Sequence, residues 1–225
     1  MESSEGFYVI NKPLGMSSQR VVQVVKYWAR KKTGNKKIKV GHGGTLDPLA
    51  TGVLIVAVGR EYTKNINAIV TATKEYEAKV FLGATSTTDD AEGEKTIHDV
   101  LHELSQKDIE RVLQKFIGDV AQTPPAYSAI KIAGKEAYKR VRRGEVVEMQ
   151  SRTVHIDAIE IMSYTYPIVD IRVTCGKGTY IRSLARDIGE CLGTGAYMAG
   201  LVRTRIGEFM LAQARSLEDF DYKKL

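Results

Sequence analysis

The stretch GHGGTLDPLATGVL, residues 41–54, gathers the residue types that chemistry needs. Three of its first four residues are glycine, which permits positive φ and lets a ligand or a second backbone come close. Asp47 follows on the same loop, and Pro48 restricts its backbone to extended conformations. A continuous apolar run, 53–58, comes soon after. A carboxylate on a stiffened loop at the mouth of a sheet fits a nucleophile or a general base. On residue types alone, the ordinary explanation remains a structural turn.

Few other clusters compete. His98 and His102 are four apart and could share a helix face, as metal ligands do. A third ligand at a telling spacing is missing, so they read as a solvated pair. No phosphate-binding glycine loop, dinucleotide fingerprint or Ser-His-Asp signature is present. The two cysteines, Cys175 and Cys191, fit no zinc pattern and read as reduced structural thiols in a cytoplasm-like compartment. No apolar run is long enough for a membrane span, and the N-terminus lacks a secretory pattern. The net charge of +6 is uneven: six of the ten residues from Arg30 to Lys39 are basic, and six more lie between Lys131 and Arg143. Two basic stretches suit a polyanionic partner, or two solvated loops.

The elements that must hold these residues follow from pattern. A strand is expected at 7–10, ended by the Lys12-Pro13-Leu14-Gly15 turn. Ser17 or Ser18 can then cap a helix with Val21, Val24, Val25 and Trp28 at helical spacing. The run 53–58 reads as a strand buried on both faces. Tyr76, Ala78, Val80 and Leu82 alternate with Glu77, Lys79 and Phe81 as a strand. A helix is expected over about 107–117, with Ser105 and Asp108 as a capping pair and Gly118 as its stop. Strands at 154–161 and 169–173 precede a helix through Ile181, Leu184, Ala185, Ile188 and Leu192, with Thr179 as a capping candidate and Gly193 as its close. Strands and helices mix without a regular alternation, so the fold class is α+β on a mixed or antiparallel central sheet. Nothing resembling a linker divides the chain, and 1–225 reads as one domain.

The segment around Asp47 closely resembles the catalytic motif of the TruB family of pseudouridine synthases. Further likenesses follow in the family's order. Asn11-Lys12-Pro13 through Ser17-Ser18 resembles its N-terminal motif, with Asn11 where Asp is more usual. Lys74-Glu75-Tyr76, Leu82-Gly83 and 85–93 resemble the strand and loop of its active-site tyrosine. Pro124-Pro125 with Tyr127-Ser128-Ala129-Ile130-Lys131 and Gly134 resembles a further motif, and Cys175-Gly176-Lys177-Gly178-Thr179-Tyr180-Ile181-Arg182 a fourth.

What the resemblance implies is a pseudouridine synthase fold and an RNA-modifying isomerase that needs no cofactor and no metal. It makes Asp47 the essential carboxylate and Arg182 its cationic partner. Tyr76 would stack on the target uracil. His42, Tyr180 and Leu201 would contact the nucleotide. Lys131, Lys139, Arg140, Arg142 and Arg143 fall where relatives carry an RNA-gripping thumb. The expected substrate is the T arm of tRNA, at uridine 55, and the expected protein is a cytoplasmic monomer (nuclear or mitochondrial if the source is eukaryotic). A C-terminal PUA domain, carried by many bacterial relatives, is not expected. Two rivals remain at this stage: a relative acting on a T-loop-like hairpin in another RNA, and an RNA-binding module without catalysis.

Overall fold

The computed structural model describes residues 4–100, 104–128, 130–132 and 134–221. His102 and Ala129, both singled out in the sequence, lie outside them. Among the described residues no helix is long and apolar enough to cross a membrane.

The chain divides into two compact units, Met1–Glu77 with Leu201–Leu225, and Ala78–Gly200. The first holds β1 (Gly6–Lys12), α1 (Ser18–Thr33), β2 (Val40–Gly43), β3 (Ala50–Val58), α2 (Arg60–Lys64), α3 (Ile66–Thr71) and the start of β4 (Lys74–Leu82). The second holds the rest of β4, then β5 (Ala84–Ser86), β6 (Lys95–Ile97), α4 (Gln106–Leu113), β7 (Gly118–Gln122), β8 (Lys131–Ile132), β9 (Lys135–Glu136) and α5 (Ala137–Val141). It continues through β10 (Arg152–Thr165), β11 (Ile168–Cys175) and α6 (Ile181–Leu192) into β12 (Ala196–Ile206), whose second half returns to the first unit with β13 (Phe209–Met210).

In the first unit the strand order is β1-β3-β12-β4, with β2 also on β3 and β13 on β12. β1 and β2 run antiparallel to β3, while β12 is parallel to it, with Leu201 opposite Ala50 and Arg203 opposite Gly52. The sheet is therefore mixed. All six residues of 53–58 are fully buried, as the unbroken apolar run predicts. Burying each Val, Leu or Ile among them contributes roughly 1.5–3 kcal/mol. Val21, Val24 and Val25 of α1 pack with Leu54, Val56 and Val58 in one core, and Trp28 rests against it. Ser17 caps α1, its side chain accepting from the Arg20 N–H.

In the second unit the order is β12-β4-β11-β10-β7, and β5 pairs with β6. The expected helix near 107–117 ends earlier. α4 stops at Leu113, a 3-10 turn covers Gln114–Phe116, and Ile117 is 37% exposed. The cause is β7, which starts at Gly118 opposite Ile156 and forces the chain to leave the helix first. The Ser105–Asp108 capping box is formed as expected. α6 ends on Gly193 in the left-handed conformation. Cys175 is buried at the end of β11, and Cys191 is exposed near the end of α6.

Candidate active site

Asp47 lies between two residues that other parts of the first unit hold. The Ser18 hydroxyl, at the start of α1, donates to the Leu46 carbonyl and accepts from the Leu46 N–H, both at 2.8 Å. On the other side, the Pro48 carbonyl accepts from the Gly15 N–H at 2.8 Å and from Lys12 Nζ at 3.2 Å. The Asp47 carbonyl itself closes a turn by accepting from the Ala50 N–H. The N-terminal motif, Lys12 through Ser18, is thus a clamp on the loop. Sequence reasoning gave Lys12 no role beyond its motif.

Lys12 is 0% exposed, and its ammonium also donates to the carbonyls of Pro13 and Met16. Its pKa is lowered to about 8, first by burial, against the opposing pull of the Asp47 charge and with a further fall from Arg203. A buried ammonium needs such acceptors, because desolvation penalises the charged form.

The glycines ahead of Asp47 serve unequal purposes. Gly41 and Gly43 are strand residues of β2, and of the three only Gly44 has positive φ, at 93°. Gly43 is needed for approach: a Cβ there would stand 2.6 Å from the Ile69 side chain on α3. His42 sits between them, opposite Val56. Its Nδ1 is buried and has no hydrogen-bond partner among the described residues. Burial first, then the charge of Arg203, lowers the His42 pKa, so the ring is neutral near pH 7.

Tyr76 is buried, with the Arg203 guanidinium 6.0 Å from its ring centroid. Leu201 is half-buried and paired with Ala50, three residues after Asp47. Four of the expected site residues, His42, Asp47, Tyr76 and Leu201, therefore belong to one unit.

Tyr180 and Arg182 belong to the other, at the start of α6. Thr179 does not cap this helix. Tyr180 occupies the capping position without a side-chain bond, and the Thr179 hydroxyl donates to the Gly176 carbonyl instead. The buried Gln122 amide replaces a cap by bonding both backbone groups of Tyr180, at 2.8 and 3.1 Å. Arg152 lies over the Tyr180 ring, 5.2 Å from its centroid. Arg182 is buried and ion-paired with buried Asp90 at 3.4 Å, and donates to the carbonyls of Thr88 and Tyr127. One helical turn on, Arg186 pairs with Asp89 at 2.9 Å. Burial raises the Asp89 pKa against the pull of Arg186 and Arg182. Asp90 lies within the family-like stretch 85–93 but is given no role by the sequence, although two adjacent acids in a Thr-rich loop are a usable signal.

The segment where the resemblance implies a thumb is a short β8–β9 hairpin followed by α5. Lys139 pairs with Glu136 at 3.0 Å and Arg140 with Glu145 at 2.6 Å, while Arg142 lies over the Tyr138 ring. The earlier basic stretch is not all loop, since Arg30, Lys31 and Lys32 form the last turn of α1, where cations suit the helix dipole.

The family described as TruB family pseudouridylate synthase (N terminal domain) matches residues 30–181, and the tRNA pseudouridylate synthase B C-terminal domain matches residues 182–224. The chain belongs to the TruB family. It is 48% identical over 210 residues to the tRNA pseudouridine synthase B of Phocaeicola vulgatus, covering 93% of this chain and 89% of that one. A second TruB relative, the tRNA pseudouridine synthase B of Pseudomonas paraeruginosa, is 43% identical over 219 residues, covering 97% of this chain and 69% of that one. Among solved structures, a Cbf5-Nop10-Gar1 complex matches with TM-score 0.72 and 32% identity over 98% of this chain. An H/ACA RNP bound to a substrate RNA containing 2'-deoxyuridine matches with TM-score 0.69, 30% identity and 98% coverage. This TruB chain spans 55% and 54% of the chains in those two structures.

Proposed function

We propose that this chain isomerises uridine to pseudouridine in tRNA, at uridine 55 of the T loop, with Asp47 as the nucleophilic carboxylate. One observation carries the role of Asp47: in a TruB-family chain, both of its neighbours are pinned, Leu46 by Ser18 and Pro48 by Lys12 and Gly15. A reacting group is most effective when its neighbours hold it in place. The reaction breaks the bond from uracil N1 to the ribose, turns the base, and joins C5 to the same sugar carbon. The C5 proton leaves and N1 gains one, so the reaction is redox-neutral and consumes no oxidant.

Tyr76 supplies a ring for the extruded base, a contact worth roughly 1–3 kcal/mol. That offsets part of the unstacking cost, on the order of a few kcal/mol. His42 offers its buried Nδ1 to the nucleotide, Leu201 and Tyr180 contact it, and Arg182 supplies the cation of the reaction. Lys131, Lys139, Arg140, Arg142 and Arg143 meet the RNA backbone, and the protein acts as a cytoplasmic monomer. A T loop is a suitable target because unpaired bases can be splayed out and read.

The test is incubation with an unmodified tRNA transcript, followed by mapping of pseudouridine along the RNA. Product at uridine 55, absent with Asp47→Asn, is expected. An intact chain that binds tRNA and yields no pseudouridine would overturn the proposal.

A further inference from the structure

We propose that Arg203 is a positioning residue for the reaction, a buried guanidinium that fastens the two ends of the loop carrying Asp47 and fixes the ring of Tyr76. The inference rests on the isomerase function proposed above.

Arg203 is the largest of the fully buried side chains among the described residues, at 1% exposure. An arginine placed so deep is costly unless its donors are used. Nε donates to the Val53 carbonyl at 2.8 Å and Nη2 to the Gly44 carbonyl at 3.0 Å. Gly44 precedes Asp47 by three residues, and Val53 lies in β3, which the loop enters. One planar fork therefore joins the strand of departure to the glycine that turns the chain toward Asp47. A lysine could carry the same charge but not both bonds in fixed directions.

The surrounding backbone is built around this side chain. Gly52, opposite Arg203, has φ of 99°, and a Cβ there would stand 2.3 Å from the Arg203 carbonyl oxygen. A Cβ on Gly44 would lie 3.5 Å from Arg203 Nη1. β12 can come this close only with glycine at position 52, whereas at Gly44 a Cβ would make an ordinary contact and it is the φ of 93° that calls for glycine. The third contact is with Tyr76, whose ring faces the guanidinium. A cation over a ring face restrains the ring's tilt.

Both hydrogen-bond acceptors are carbonyls, so the positive charge is not neutralised where it is bonded. It reaches the neighbours of Asp47, adding to the lowering of proton affinity at His42 and at Lys12. Arg203 thus has two separable actions, a geometric one through its fork and an electrostatic one through its charge.

Arg203→Lys and Arg203→Gln in the full chain separate them. Each variant is measured for thermal midpoint, tRNA affinity by filter binding, single-turnover pseudouridine formation, and His42 ring titration by NMR. The Lys variant should keep the parental His42 titration and bind tRNA within about threefold, yet lose at least about tenfold in single-turnover rate. The Gln variant should lose at least as much rate and move the His42 titration upward. Parental rates in both variants would overturn the proposal. So would rate losses matched by losses in affinity, or a Lys variant that no longer folds, since the residue would then serve the fold alone. If the parent itself makes no pseudouridine, the proposed function fails. If the parent turns over and both variants match its rate, only this inference fails.

Discussion

Lys12 Nζ lies 3.2 Å from the carbonyl of Pro48, the residue that follows Asp47. A wholly buried ammonium thus sits one peptide away from the proposed nucleophile. Its proton equilibrium is tied to that carboxylate, whose charge opposes the fall that burial and Arg203 cause and leaves the pKa at about 8.

This coupling gives a stability prediction with a definite sign. In the unfolded chain the amine keeps its proton up to its ordinary 10.5, whereas folded it releases it near 8. Between these values the unfolded chain binds more protons, so the contribution of Lys12 to stability rises with pH across the window and is least below it. The span corresponds to roughly 3 kcal/mol. Unfolding free energies of the parent minus those of Lys12→Met, taken by urea titration, should climb by about that much across the window. A flat difference would show that the amine is solvated.

Asp47→Asn should abolish isomerisation while leaving tRNA affinity within about tenfold, or roughly 1.4 kcal/mol. The amide removes the influence that raises the Lys12 pKa, so Lys12 should titrate below about 8 in this variant. Single-turnover assays, filter binding and NMR of the lysine amine check the three parts. Turnover by a sequence-verified preparation would end the assignment of Asp47.

Ser18→Ala should leave the N–H and carbonyl of Leu46 without their side-chain partner in a buried place. Each such group costs about 1–3 kcal/mol, and the isomerisation rate should fall because one side of the Asp47 clamp is lost. Ser17→Ala, which removes only the α1 cap, should cost about 1 kcal/mol and spare the rate. Equal rates in the two variants would mean that the clamp does not set the nucleophile.

For the thumb, tRNA affinity across a salt series should distinguish paired from available cations. Lys139 and Arg140 already have acidic partners, whereas Arg142 lies over Tyr138. Arg142→Ala with Arg143→Ala should make the log–log salt slope shallower by about 1.5, at roughly 0.7–0.9 per lost phosphate contact. Alanine at Lys139 and Arg140 should change it less. An unchanged slope in both pairs would reduce the segment to solvated surface.

Much of this was readable from residues. The apolar run 53–58 announced a strand buried on both faces, and Ser105 with Asp108 announced the start of α4. β12 was not readable, because its sequence AYMAGLVRTRI carries Arg203 fully buried in the core and a second arginine, Arg205, half-buried against Glu75. An arginine held by carbonyls looks the same in sequence as one in water. The glycines before Asp47 suggested a loop, yet two of them are in β2, and at Gly43 the absence of a side chain serves helix packing. Thr179 failed as a cap because Gln122, distant in sequence, satisfies the same backbone. Asp90 was missed for a similar reason, since its partner Arg182 is 92 positions away and only the fold joins them.

The unequal placement of the two thiols supplies an intrinsic timer for structural opening. Cys191 is exposed and open to a thiol reagent, whereas Cys175 is buried where β11 ends. A reagent can reach Cys175 only when that part of the chain opens, so its labelling rate in the native protein reports the free energy of that opening. With two sulfhydryls in the whole chain, mass spectrometry can count each one as it is labelled. The same trace recorded with bound tRNA would measure how much the RNA stiffens the strand that leads into Tyr180 and Arg182.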